Sequence, residues 1–264
     1  MLGLALALCS ALAPAPQDAA KQRLENSPRH HEWVEMQRGE RVVRTFVVFP
    51  ERAEKAPVVL VIHENKGLTD WVRAVCDRLA EEGYLAVAPD LLSGEGPDGG
   101  GTEQFGSTDA ATRALYARDA AAVATDLDLV ADAALALPGA DDTKLFVAGF
   151  CWGGSQSFAF ATRRKDLKAA FVFYGSAPTD PVVLEGIRCP VYGFYGENDA
   201  RIAAGLPATE EAMKQAGKTF EPVLYAGAGH GFLRAGEAAD ASEANRKARE
   251  EAWERWLGIL GGGS

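Results

Sequence analysis

At 264 residues, with 47% hydrophobic and 24% charged side chains, the chain has the size and composition of one globular domain with a substantial core. Its formal net charge of −10 argues against a surface that binds nucleic acid or an anionic membrane. Four cysteines are too few for a disulfide scaffold, and their spacing includes neither a CxxC pair nor a zinc-binding pattern.

The N-terminal segment has the composition of an export signal. Residues 1–13 are uncharged and rich in Leu and Ala, although the basic residue that usually precedes such a run is missing. The run is too short to span a bilayer but suits the hydrophobic region of a signal peptide. We expect residues 1–20 to be a signal peptide that directs a single domain, residues 21–264, to the periplasm or the cell exterior. Without a functional signal the protein would be cytoplasmic.

The rest of the chain alternates between predicted strands and helices. Residues 21–29 are polar and predict a loose arm, and residues 32–37 and 41–49 predict a β-hairpin. Apolar runs predict buried strands at 57–62, 84–88, 145–148, 169–174, 191–195 and 220–225. Amphipathic patterns predict helices at 69–82, 108–137, 208–215 and 239–260. This alternation indicates an α/β fold with a mainly parallel central sheet, helices on both faces and ligands at the carboxyl ends of the strands.

The predicted strand 145–148 leads into Gly149-Phe150-Cys151-Trp152-Gly153-Gly154, which begins a further helix. A strand, a glycine-flanked nucleophile and a helix form the nucleophile elbow of the α/β-hydrolase fold. The turn is so sharp that a Cβ atom at position 149 or 153 would clash, and glycine removes that clash. The N–H groups at the start of the helix favour negative charge on the sulfur or on an oxyanion beside it. The alternative is a small core cysteine beside glycines, which is common.

Two further residues with catalytic chemistry follow predicted strands. Asp199 comes after the strand 191–195, and His230 comes after the strand 220–225. The order Cys151, Asp199, His230 is the order of nucleophile, acid and histidine in the α/β-hydrolase fold. The histidine would take the thiol proton and later protonate the leaving group, while the aspartate would orient the imidazole. Taken singly, a loop histidine and a turn carboxylate are common structural residues.

The remaining candidates have simpler interpretations. Cys76 and Cys189 have the apolar surroundings of core thiols. His63 ends a predicted strand and is expected to shape the loop that follows. Ser155 lies one turn beyond Cys151 and is expected to be buried in the helix, so we do not assign it as the nucleophile.

Five segments combine these features: His63-Glu64-Asn65-Lys66-Gly67-Leu68, Gly83-Tyr84-Leu85-Ala86-Val87-Ala88-Pro89-Asp90-Leu91, Gly149-Phe150-Cys151-Trp152-Gly153-Gly154, Gly196-Glu197-Asn198-Asp199 and Gly229-His230-Gly231-Phe232. In this combination the chain resembles the dienelactone hydrolase family over residues 56–260. The resemblance implies a catalytic triad of Cys151, Asp199 and His230. It also implies that Glu64 contacts the cysteine, holding the resting thiol neutral and helping to activate it when substrate enters.

The resemblance also implies an oxyanion hole and substrate-binding residues. The backbone N–H groups of Asn65 and Trp152 are expected to form the oxyanion hole. Dienelactone hydrolases bind the substrate carboxylate with arginines, and Arg234 matches one of them by its spacing from the histidine. Arg113, with Tyr116, is a possible counterpart of the other, but its spacing differs from that of the family.

The sequence therefore predicts a carboxylic ester hydrolase, similar to carboxymethylenebutenolidase, that cleaves an ester or lactone through a cysteine acyl-enzyme. We expect it to need no cofactor and no metal, to act on a small molecule, to bind no nucleic acid and to have no membrane span. The alternative is a non-catalytic binding protein or thiol-redox protein that keeps the fold. The joint presence of cysteine, histidine and aspartate argues against that alternative.

Overall fold

The computed structural model describes residues 16–178 and 180–262, so most of the predicted signal segment lies outside the described residues. Within them, the strands are β1 His31–Arg38, β2 Arg41–Val48, β3 Ala56–Ile62, β4 Leu85–Pro89, β5 Ala140–Phe150, β6 Leu167–Phe173, β7 Val191–Gly196 and β8 Phe220–Tyr225. The α-helices are α1 Pro16–Asn26, α2 Asp70–Glu81, α3 Thr108–Ala117, α4 Ala120–Leu135, α5 Trp152–Arg163, α6 Pro181–Leu184, α7 Ala200–Ala203, α8 Leu206–Gln215, α9 Phe232–Ala235 and α10 Glu243–Leu260. No helix among the described residues is both long and apolar enough to cross a membrane.

The strands form one sheet in the order β1-β2-β4-β3-β5-β6-β7-β8. The hairpin β1–β2 is antiparallel and joins β4 in an antiparallel pairing, while every pairing from β4 to β8 is parallel. The carboxyl ends of the parallel strands therefore meet at one edge of the sheet. The prediction of a mainly parallel α/β sheet is confirmed.

Apolar side chains cover both faces of the sheet. In β3, Leu60 and Ile62 belong to a core that includes residues of α4 and α5, whereas Val59 and Val61 belong to a second core with residues of α2 and α10. Side chains alternate between the faces of a strand, so a continuous apolar run such as β3 requires helices on both sides. This arrangement confirms the prediction of helices on both faces.

Apart from shifts in element boundaries, two predicted elements differ from the structure. The single helix expected over residues 108–137 is two helices, because Arg118 has an extended backbone with ψ 139° and separates α3 from α4. The side chain of Asp119 accepts a hydrogen bond from the Ala122 N–H and caps α4. The Arg118 guanidinium turns inward and pairs with Asp126 at 2.9 Å. A local cap and a buried ion pair therefore interrupt an otherwise continuous helical pattern.

The predicted loose arm is also wrong, because residues 16–26 form helix α1 and pack against α2. Ala20 and Leu24 are buried in the core shared with α2. Beyond the helix, Arg29 donates two hydrogen bonds to Asp77 of α2, each 2.8 Å long. Two small apolar residues in a polar stretch are a weak sequence signal, but tertiary contacts make them sufficient to dock the helix.

Candidate active site

The turn at Cys151 has the geometry of a nucleophile elbow. Cys151 joins β5 to α5 with φ 56° and ψ −115°, a region that non-glycine residues rarely adopt. A Cβ atom on Gly149 would lie 1.9 Å from the Gly153 carbonyl oxygen, and one on Gly153 would lie 2.3 Å from the Ile62 carbonyl oxygen. Both positions therefore require glycine. The strained backbone holds the Cys151 side chain at the sheet edge, where it is half-buried.

The close approach of Gly153 to Ile62 also joins the start of α5 to the loop that follows β3. Trp152 is the first residue of α5, and the first N–H groups of a helix have no acceptor within that helix. Asn65 lies in a turn closed by a hydrogen bond from the Gly67 N–H to the Glu64 carbonyl. The two predicted oxyanion-hole residues thus belong to segments in direct contact, on either side of the nucleophile.

His63 connects the same two segments. Its ring stacks on Trp152 with a centroid separation of 5.8 Å, and its Nδ1 donates to the Glu64 carbonyl at 2.7 Å. Its Nε2 accepts a hydrogen bond from the Leu91 N–H at 3.2 Å, which fixes the neutral tautomer. Burial lowers the pKa of His63, so the ring stays neutral and acts as a support for the loop.

The predicted acid and base are in contact. The Oδ2 of Asp199 lies 2.5 Å from the Nδ1 of His230, and Asp199 is buried at the start of α7. This contact leaves the other ring nitrogen of His230 free to act on a sulfur or a leaving group. The pKa of His230 is raised to about 9, chiefly by interaction with the Cys151 side chain; burial opposes the increase and the hydrogen bond to Asp199 adds to it.

Hydrogen bonds between their loops hold Asp199 and His230 in place. The Asn198 N–H donates to the Ala228 carbonyl at 2.8 Å, and the Gly227 N–H donates to the Glu197 carboxylate at 2.8 Å. The loops approach so closely that a Cβ atom on Gly196 would lie 2.5 Å from the Ala228 carbonyl oxygen. Gly196 and the hydrogen bonds between the two loops therefore hold Asp199 and His230 in contact.

Glu64 and Arg234 form an ion pair within this group. The Arg234 Nε donates to the Glu64 Oε2 at 2.8 Å, and Glu64 is only 4% exposed. Burial would lower the pKa of Arg234, but the Glu64 carboxylate raises it above its ordinary value. Burial raises the pKa of the neighbouring Tyr174, and the Glu64 carboxylate raises it further while Arg234 opposes the increase, so that phenol stays neutral. The Glu64 carboxylate thus already balances the charge of the arginine predicted to bind substrate.

Cys151 opens into a cleft of about 280 Å³. Its lining consists of Tyr116, Cys151, Trp152, Ser155, Tyr174, Ser176, Arg201 and Ile202. Tyr116 therefore reaches the cleft from α3, whereas Arg113 is exposed on the same helix and does not belong to the lining. Ser155 is half-buried, against the expectation of full burial, and its Oγ lies 3.0 Å from the Ser176 Oγ.

Sequence reasoning overlooked four of these lining residues, namely Tyr174, Ser176, Arg201 and Ile202. Each follows the carboxyl end of β6 or β7 by one to six residues, and carboxyl ends of parallel strands are where ligands bind. Distance from a strand end is the signal that could have found them. In the structure, Tyr174 also has a positive φ of 42°, which is uncommon for a residue other than glycine.

The other described cysteines have different surroundings. Cys76 and Cys189 are buried, and burial raises the pKa of both thiols, that of Cys189 to about 11. They fit the predicted role of core thiols. Over the described ranges, no group of three or more His, Cys, Asp or Glu side chains is arranged to hold a metal ion.

The chain is similar to known proteins over most of its length. A sequence model of the dienelactone hydrolase family matches residues 43–262. A Salmonella typhimurium protein, whose name proposes carboxymethylenebutenolidase activity, is 34% identical over 220 residues, which are 78% of this chain and 78% of that protein.

Solved structures show the same relationship. A Klebsiella pneumoniae protein, crystallised as a candidate dienelactone hydrolase, matches with a TM-score of 0.77 and 28% identity over 88% of this chain and 98% of the other. A dienelactone hydrolase-like promiscuous phosphotriesterase from metagenomic libraries has a TM-score of 0.74 over 88% of this chain and 98% of its own. At 21% identity, that second likeness concerns the fold alone.

Proposed function

We propose that this chain, which belongs to the dienelactone hydrolase family and is a hydrolase of that kind, cleaves carboxylic esters or lactones through an acyl-enzyme on Cys151. The observation that carries the proposal is the half-buried sulfur on a strained elbow, beside a histidine that Asp199 contacts at 2.5 Å. A buried structural cysteine needs neither the strained turn nor a charged partner.

The first half of the reaction transfers the acyl group to the enzyme. His230 accepts the thiol proton, and the Cys151 sulfur forms a bond to the ester carbonyl carbon. The electron pair of the carbonyl π bond moves to its oxygen, which the N–H groups of Asn65 and Trp152 stabilise. The electron pair returns as the bond to the alkoxy oxygen breaks, and His230 gives its proton to the leaving group. The raised pKa of His230 favours its holding that proton beside the sulfur.

The second half returns the free enzyme. Water attacks the thioester carbonyl and loses a proton to His230, and the resulting tetrahedral intermediate collapses by breaking the bond to sulfur. The sulfur then regains its proton from His230. Asp199 keeps the imidazole oriented in both halves. For a lactone, the leaving alcohol remains covalently attached to the acyl group, so the product is a single hydroxy acid.

Glu64 is assigned a supporting role in the first half. The ion pair with Arg234 fixes the buried Glu64 carboxylate near the Tyr174 phenol, which lines the same cleft as Cys151. In the resting enzyme it would hold the thiol neutral and then assist its activation when substrate arrives. Activity on carboxymethylenebutenolide, suggested by the name of the Salmonella protein, is part of this proposal.

Replacing the nucleophile tests the proposal directly. We expect Cys151→Ala to remove hydrolysis of p-nitrophenyl acetate, because loss of a triad nucleophile can reduce kcat on the order of 10⁶-fold. The initial rate of nitrophenolate release is the measurement, and circular dichroism checks the fold. Cys189→Ala is the matched control and should keep full activity.

Chemical labelling separates this mechanism from a binding or redox role. Iodoacetamide should inactivate the wild type and the Cys189→Ala protein, with the added mass on Cys151. Near-normal turnover by Cys151→Ala would show that another residue is the nucleophile. A reactive Cys151 in a protein that hydrolyses no ester or lactone of a broad panel would favour the thiol-redox or binding role.

A further inference from the structure

A second cavity lies beside the cleft that contains Cys151. It has a volume of about 360 Å³, within the range of about 300–1,000 Å³ that is typical of small-molecule sites. The two cavities share three lining residues, Ser176, Arg201 and Ile202. These three residues contact both cavities, so the cavities adjoin there, and we call this place the junction. We call the second cavity the side chamber.

The side chamber is mostly apolar. Leu184 and Tyr195 are almost fully buried in its wall, and α8 contributes Leu206, Ala208 and Ala212. Both alanines have short side chains, so a larger side chain at either position would reduce the cavity. An apolar cavity that opens next to a reactive sulfur fits an apolar substituent of the substrate better than bulk water, because burying such a group is favourable.

The position of His230 decides which end of the substrate the chamber can take. The leaving group must lie against His230 to receive its proton, at hydrogen-bond distance. His230 approaches the cleft at Tyr174, whose ring centroid lies 5.1 Å from that of the imidazole, and Tyr174 lines the cleft but not the side chamber. The group that extends from Cys151 towards Arg201 is therefore the acyl group, which remains on the sulfur after the alcohol has left.

We infer that the side chamber binds the acyl group of the substrate and selects esters with an apolar acyl chain or ring over acetyl esters. This inference rests on the proposed acyl-enzyme function of Cys151. It assigns a substrate class to the part of the fold that follows β6 and β7.

Filling the chamber tests the inference. We expect Ala212→Phe to lower the ratio of kcat/KM for p-nitrophenyl hexanoate to that for p-nitrophenyl acetate by about tenfold, because the added ring occupies the space of the longer acyl chain. The two substrates have the same leaving group, so the ratio reports the acyl group alone. Ala216→Phe is the matched control; it lies one turn further along, outside the chamber lining, and should leave the ratio unchanged.

A second chamber variant and a comparison of two leaving groups complete the test. If circular dichroism shows that Ala212→Phe does not fold, Ala208→Trp replaces it, because Ala208 also lines the chamber and is exposed. The ratio of 2-naphthyl acetate to phenyl acetate should stay constant in every variant, since it varies only the leaving group. An unchanged hexanoate ratio, or equal losses in the chamber variant and in the control, overturns the acyl assignment.

Failure of the proposed acyl-enzyme function can be distinguished from failure of the side-chamber inference. If the wild type shows no Cys151-dependent hydrolysis of the acetate, the proposed function fails and the acyl assignment fails with it. If acetate hydrolysis depends on Cys151 while the hexanoate ratio does not respond to the chamber variant, the acyl-enzyme proposal stands and only the side chamber is refuted.

Discussion

Two arginines near the cleft differ in what they can offer a substrate. Arg234 is held by the buried Glu64 carboxylate, whereas Arg201 lines both the cleft and the side chamber. Among the described residues, no carboxylate lies within 4.0 Å of the Arg201 guanidinium. At the residue scale, Arg201 is therefore better placed than Arg234 to attract a negatively charged acyl group.

We expect Arg201→Gln to lower kcat/KM for mono-p-nitrophenyl succinate by about fivefold relative to neutral p-nitrophenyl butyrate. The value corresponds to about 1 kcal/mol, which is the upper range for a solvent-exposed charge pair. The comparison should be made at low salt, because screening weakens exposed pairs. The control is Arg188→Gln, an exposed arginine that lines neither cavity. Equal losses on both substrates would mean that Arg201 supports the loop without recognising charge.

The raised pKa of His230 depends chiefly on the Cys151 side chain. Because the Cys151 side chain is the largest cause, Cys151→Ala should move the pKa from about 9 towards the ordinary value of about 6.5. An NMR titration of the His230 ring protons measures it, with Cys189→Ala as control. A pKa that stays near 9 in Cys151→Ala would show that Asp199 is the dominant cause.

The raised pKa of His230 also makes the free energy of unfolding depend on pH. A folded-state pKa above the unfolded value contributes stability that is fully present below pH 6.5 and is lost as the pH rises through about 9. The stability advantage of the wild type over Cys151→Ala should therefore decrease across this window. Urea denaturation at several pH values would detect it.

At the scale of elements, besides the apolar contacts of α1, a buried carboxylate of α2, Asp77, pairs with Arg23 of α1 at 2.6 Å and with the residues that follow the helix. Asp77 receives two hydrogen bonds from Arg29, whose side chain is 8% exposed, and another from the hydroxyl of Ser27. Burial alone would raise the pKa of Asp77, but these hydrogen bonds hold it below its ordinary value. The stability that Asp77 contributes is therefore present above about pH 3.9 and is lost as the pH falls through its folded-state pKa.

We expect Asp77→Asn to lower the free energy of unfolding by about 3 kcal/mol, because it leaves the Arg29 charge buried without its partner. Urea denaturation near neutral pH is the measurement. Asp128→Asn provides the control, since its pairing with Arg163 is more exposed and is expected to be worth less than about 1 kcal/mol. Equal losses in the two variants would indicate that α1 is not held through Asp77.

The separation of α3 from α4 shows how an element boundary can matter for a site. The break at Arg118 and Asp119 ends α3 just beyond Tyr116, whose side chain lines the cleft. A continuous helix over the same residues would follow a single axis and direct α3 elsewhere. The inward turn of Arg118 towards Asp126 therefore helps to position Tyr116.

At the scale of the whole molecule, the parallel sheet gathers the site from distant parts of the chain. Glu64 follows β3, Cys151 follows β5, Asp199 follows β7 and His230 follows β8. Parallel strands end at a common edge, so residues separated by more than a hundred positions can meet there. Helices pack on both faces of the sheet and support the strands that carry these residues.

Export of the protein remains a prediction. The position of α1 limits where a signal peptidase could cleave the chain without removing part of the fold. Helix α1 begins at Pro16, and Ala20 is buried against α2, so cleavage after residue 20 would remove a packed part of the helix. We propose that a mature exported chain begins at or before Pro16, ahead of the position near Lys21 that composition suggested. N-terminal sequencing of protein from the periplasm or medium is the measurement. An intact Met1 in a cytoplasmic fraction would refute export.

Local sequence patterns were sufficient to predict the sheet and the sharp turn at Cys151. Continuous apolar runs predict buried strands because a strand covered on both faces has no polar side. Gly149 and Gly153 predict the elbow because the turn leaves no room for a Cβ atom. Each of these signals is contained within about ten neighbouring residues, so it can be recognised without knowledge of the fold.

The tertiary structure decided what depends on residues far apart in the chain. The Glu64–Arg234 pair joins positions 170 residues apart. The Glu64 carboxylate balances the positive charge of Arg234, which the sequence analysis had assigned to the substrate carboxylate. The junction at Ser176 and Arg201 likewise arises where two separate loops meet, and α1 becomes a helix through its contact with α2. Such contacts depend on packing and on the direction of side chains in space, and no pattern within a single segment encodes them.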